Sequence, residues 1–216
     1  NAELLVNYAR FMIIGRDDYD RAEALYQRAL EADPENPNVL ADYAGFLKDM
    51  RGDYERAEAH YKAGIAAGPT APVVLREYAA LLLMSGRLDE GSKLLAEAVS
   101  GLLGQELLHG LYLQYAYART DSARAEPLAR IYDMLESKVR IPNFDSKREI
   151  GRALEAGHPE AELLDALARV IAVRDDPGAL ARFSVWKALE KVPPKVPAPA
   201  SEASTVAPTE DSPLEQ

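Results

Sequence analysis

A 35-residue period runs through the first half of this chain. Leu5, Tyr8, Ala9 and Met12 return as Leu40, Tyr43, Ala44 and Leu47, then as Leu75, Tyr78, Ala79 and Leu82. A second set runs in step. Ala22, Tyr26, Ala29 and Pro34 return as Ala57, Tyr61, Gly64 and Pro69, then as Gly91, Leu95 and Ala98 with no proline. Within each set the residues stand mostly three or four apart, the spacing of one helix face, so each period predicts two helices. A helical pair of this length cannot bury its apolar faces alone. Stacking of neighbours must supply the core, and about three units are the practical minimum. Ala9, Ala22 and Ala29 are small enough to let paired helices approach closely, while the Leu and Tyr positions fill the space between units.

A period of this size, made of two helical halves with eight positions in register, resembles the tetratricopeptide repeat family. The resemblance covers residues 1–104. It implies an all-α, right-handed solenoid of helical hairpins. In that family the first helix of each unit lines a concave groove that takes extended peptides or helices. Carried over residue by residue, the groove positions are Glu3, Val6, Arg10 and Ile13 in the first unit, and Asn38, Ala41, Gly45 and Lys48 in the second. Those of the third are Val73, Arg76, Ala80 and Leu83. Members that grip the C-terminal carboxylate of chaperones use a set of Lys, Asn and Arg residues here. In this chain Val6 and Ala41 stand where such polar groups are needed, and Gly45 replaces an asparagine. The resemblance therefore implies a mixed, fairly apolar groove. Arg10 and Arg76 would select acidic neighbours, and small Ala41, Gly45 and Ala80 would leave room for a bulky helix anchor.

Charge and composition narrow the function. Lys+Arg 25 against Asp+Glu 35 gives a net charge of −10, which repels phosphate backbones and argues against nucleic acid as the main partner. With no cysteine, there is no disulfide, no thiol nucleophile and no cysteine metal site. That fits a reducing, cytoplasmic compartment. No apolar run approaches a membrane span. The chain begins at Asn1 in mid-pattern, as a processed chain or a piece of a longer protein would.

In chain order, helices are expected at about 3–15 and 18–32, 37–50 and 53–67, and 71–85 and 87–101. Asn36 reads as an N-cap with Pro37 at the first helical position, and Thr70 as the next cap. Tyr19 and Tyr54 take equivalent places in the turns within the first two units. Their rings cover the hairpin end or, on the other reading, contact a ligand. Residues 105–140 read as a degenerate fourth hairpin, and 141–190 as a three-helix unit whose last helix spans about 177–190, capped by Asp176. Phe183 and Trp186 share one face of that helix, which either packs on its predecessors or docks a partner. From 191 to 216 the chain is rich in Pro, Ala and Ser and reads as a disordered tail or linker.

Signs of chemistry are sparse. His60, His109 and His158 lie in different units, and none has a second ligand at metal spacing. Phosphate-loop glycines, the G-x-S-x-G elbow and the H-E-x-x-H motif do not occur. No catalytic residue, metal or cofactor is assigned. The expected function is a non-catalytic interaction scaffold or adaptor that binds a partner protein's helix or peptide in the groove. It could serve as the sensing arm of a larger protein. Two alternatives stand beside it: a spacer or self-assembly module whose groove is filled in cis, and an enzyme or its regulatory lid.

Overall fold

The computed structural model describes residues 1–68, 71–142, 144–155 and 157–189, and among these every regular element is helical. Helices α1 (Ala2–Arg16) and α2 (Tyr19–Ala32) form the first hairpin. In the second, α3 (Pro37–Phe46) runs on through a π turn (Leu47–Arg51) and pairs with α4 (Tyr54–Ala67). The third joins α5 (Pro72–Met84) to α6 (Leu88–Gly101), and the fourth α7 (Gly104–Tyr117) to α8 (Asp121–Glu136). The chain continues with helices α9 (Lys147–Glu155) and α10 (Ala161–Ile171), a 3-10 turn (Pro177–Arg182) and the short α11 (Ser184–Leu189). The single helix expected over 177–190 is therefore two pieces, separated where Phe183 takes an extended backbone. Asp176 does cap the first piece, accepting from the Gly178 N–H at 2.8 Å. Pro69, the proposed cap Thr70, Asn143 and the tail at 191–216 lie outside the described residues.

Repeated local chemistry makes the repeated hairpins. Asp17 and Gly52, 35 residues apart, both take left-handed backbone at the end of a first helix. Asp18 and Asp53 then cap the second helices, each accepting from the N–H three residues on at 3.1 Å. Asn36 caps α3 through the Asn38 and Val39 N–H groups, with Pro37 where a missing N–H costs nothing. The small positions do what their size allows. Ala9, Ala22, Ala29, Ala44, Ala57, Ala79 and Ala98 are all fully buried. A methyl at Gly91 would stand 2.7 Å from Leu83 Cγ, so that pair of helices needs glycine there.

Successive hairpins meet through a recurring contact. The Tyr43 ring stacks on Tyr26 at 5.5 Å and its hydroxyl donates to Glu23 at 3.2 Å. One unit later Tyr78 stacks on Tyr61 at 5.7 Å and donates to Glu58 at 3.1 Å. The C-terminal helices extend the core of α5–α8, where Tyr112 and Tyr115 are fully enclosed. Trp186 belongs to that core: it is 3% exposed and lies 5.1 Å from Tyr132, with Phe183 half-buried nearby. The alternative of an exposed docking face at Phe183 and Trp186 is thus corrected, because α11 turns its indole onto α8.

Candidate functional site: a concave groove in two halves

Among the first helices of successive hairpins, α1 packs beside α3 and α5 beside α7, and the expected groove positions along them meet different surroundings. Over α1 and α3 that surface is open. Glu3, Val6 and Arg10 of α1 meet Asn38, Ala41 and Asp42 of α3 around a cavity of about 310 Å³. Val39 and Val74 floor it, Val74 in the place expected for Val73, which is 37% exposed. Arg10 is held by Asp42 at 2.6 Å, and that hydrogen bond raises the already high guanidinium pKa. The pair still reaches solvent, with the arginine side chain 53% exposed. Ile13 is half-buried against the first hairpin core.

Farther along, the groove floor is a buried charge network. Lys48 and Arg76, both expected to face a partner, have side chains only 4% exposed. Lys48 binds Glu77 at 2.5 Å. Arg76 reaches Glu77 at 2.9 Å, Glu106 at 2.6 Å and a His109 ring nitrogen at 2.9 Å, tying α5 to α7. Burial opposes the Glu77 carboxylate, but Lys48 and Arg76 outweigh it and hold its pKa down to about 2. Burial first, then Arg76, pushes His109 down to about 3, so the ring is neutral and accepts from Arg76. Arg76 is therefore consumed inside the fold, which corrects the expectation that it selects acidic partners. The buried Tyr61 hydroxyl has no hydrogen-bond partner among the described residues and lies 3.7 Å from where a Gly45 Cβ would stand. It takes part of the room that Gly45 was expected to leave.

Over α5 and α7 the groove is covered. Phe144, 6% exposed, meets His109 at 5.1 Å and Tyr112 at 5.2 Å, both edge-on. Helix α9 then packs on α5 and α7 and buries Ala153. Ala80 is 3% and Leu83 2% exposed, Leu83 being turned into the α5–α6 hairpin. Neither offers a surface to a partner. Between the two halves, Lys48, Glu77 and His109 face Asp145 and Lys147 across a cavity of about 520 Å³.

The other candidates have structural places. The Tyr19 and Tyr54 rings are partly buried on the core at the hairpin end. His60 lies over Tyr43 at 4.8 Å. The His158 ring accepts from the Glu160 N–H at 3.2 Å and donates from Nε2 to the Tyr115 carbonyl at 3.2 Å, fastening α10 to α7. Sequence reasoning passed over Asp42, Glu77, Glu106, His109 and Phe144 as groove residues. The register held a signal for two of them, since Asp42 and Glu77 stand 35 residues apart, next to the groove positions Ala41 and Arg76.

Among the described residues no helix is long and apolar enough to cross a membrane, and no group of three or more His, Asp or Glu could hold a metal. No curated protein matches this sequence. A family model described as tetratricopeptide repeat matches residues 14–50 and 50–115, from the end of α1 into α7. Through residues 14–115 the chain is a member of the tetratricopeptide repeat family.

Proposed function

We propose that the chain is a non-catalytic protein–protein interaction scaffold that receives a partner helix or peptide in the half of its groove over α1 and α3. The open cavity between Val6, Arg10, Asn38 and Ala41 carries this reading. It joins an apolar floor to a few convergent polar groups, the composition of peptide-binding grooves. Arg10 and Asp42 present a paired plus and minus at its mouth. That favours a segment with an apolar anchor and polar neighbours over a strongly acidic one. The cover of Phe144 and α9 supports a second reading for the rest of the groove, that it is filled in cis and serves as scaffold.

The test is affinity capture with the full chain against an Asn38→Arg, Ala41→Arg variant shown by circular dichroism to be equally folded. The captured segment would then be made as a peptide and titrated onto both. Binding that disappears in the variant supports the groove as reader. Equal binding to both would move the site elsewhere.

A further inference from the structure

The contact that joins successive hairpins has two halves, and the first hairpin displays one of them without the other. In the first two junctions the second helix of one unit supplies a glutamate and, three residues on, a tyrosine: Glu23 and Tyr26 from α2, Glu58 and Tyr61 from α4. The next unit receives them with a tyrosine and with arginines from its own inter-helix turn. Arg51 binds Glu23 at 2.8 Å, and Arg87 binds Glu58 at 2.6 Å. Arg56 also binds Glu23, at 3.0 Å, and stands 5.7 Å over the Tyr43 ring.

Counting back 35 residues, Tyr43, Arg51 and Arg56 become Tyr8, Arg16 and Arg21. Arg21 already stands 5.7 Å over the Tyr8 ring, as Arg56 does over Tyr43. Among the described residues no carboxylate pairs with the side chain of Arg16 or Arg21. The apolar positions repeat the pattern. Leu4 is 69% exposed where Val39 is 1%, Tyr8 38% where Tyr43 is 2%, and Phe11 54% where Phe46 is 4%. Three apolar side chains and two cations are thus arranged as their covered equivalents are, on the outer face of the first hairpin.

We infer that this face receives the second helix of a further tetratricopeptide-type repeat, one carrying Glu-x-x-Tyr on its buried side. Its glutamate takes the hydroxyl of Tyr8 and the guanidinium groups of Arg16 and Arg21, and its tyrosine stacks on Tyr8. The charge complement distinguishes this occupant from a merely apolar one, because two arginines without a carboxylate flank the patch where the first two junctions hold an acid. The surface lies on the outer end of the first hairpin, so it stands independently of the groove reading.

The natural probe is the chain's own supplying helix, a synthetic peptide of residues 17–36, titrated onto the full chain and followed by NMR. The expected result is shifts centred on Tyr8, Phe11 and Arg21. Arg21→Glu should weaken binding about tenfold, the worth of a charge-assisted hydrogen bond, and a Glu23→Lys peptide should restore it. Arg21 is exposed, so the variant keeps its fold, and circular dichroism checks that. No shift at α1 with millimolar peptide, or binding indifferent to Arg21→Glu, overturns the inference. A dimer in sedimentation that Phe11→Asp dissolves would overturn it in favour of a second copy.

Discussion

The two halves of the groove are built from the same repeat positions and end in opposite states. Arg10 and Arg76 are both groove arginines near an acid, yet Arg10 pairs with Asp42 in solvent and Arg76 is enclosed by Glu77, Glu106 and His109. The difference comes from the segments that pack beside each arginine. Beyond α5 the next first helix, α7, brings Glu106 and His109 alongside, and Phe144 and α9 then close over them. Over α1 and α3 no such cover exists among the described residues, and the cavity stays open. A repeat position therefore does not by itself decide exposure. Neighbouring segments turn one position into a binding surface and its equivalent into core.

Four changes would break or sharpen that contrast. Arg76→Ala takes one of two cations from Glu77, leaves His109 without its donor and unties α5 from α7, and should cost about 3 kcal/mol in urea unfolding. A loss below about 1 kcal/mol, the range of a surface ion pair, would erase the distinction from Arg10. Phe144→Ala removes the ring over His109 and Tyr112, with an expected cost of about 3 kcal/mol and faster amide exchange in α9.

Acid tests the same enclosure. The His109 pKa lies below its ordinary value, so the unfolded chain takes up the proton first and stability falls as pH drops from 6.5 toward about 3. Glu77 is also depressed, and its contribution is lost as pH falls from 4.5 toward about 2. One such group gives a slope of at most about 1.4 kcal/mol per pH unit. His109→Gln should flatten the stability curve between pH 6.5 and 4.5, which chemical denaturation at several pH values would show. Asn38→Arg, on the open side, should change stability by no more than about 0.5 kcal/mol while obstructing the cavity. A larger loss would mean that the open half is core as well.

The hairpins were legible in the sequence because their causes are local. Asn36 announces a helix start, and the 35-residue recurrence of Tyr and Ala announces stacking. The groove was legible only as far as the period reached. Arg76 finds Glu106 and His109 30 and 33 residues on, in a hairpin where the period has faded. Phe144 lies in a segment with no period at all, so nothing in its spacing places it over α7. The break at Phe183 was hidden for a similar reason. Continuous helix-like spacing of Leu180, Phe183 and Trp186 survives a change of backbone when each side chain still finds the core.

Because the chain has no cysteine, single thiols can report the contrast directly. Ala41→Cys places one in the open half and Ala80→Cys one in the covered half. The first-choice measurement is their rate of labelling by a maleimide in native buffer, each normalised to its rate in denaturant. A groove divided by Phe144 and α9 predicts fast labelling at position 41 and strong protection at position 80. Equal rates at the two positions would contradict it.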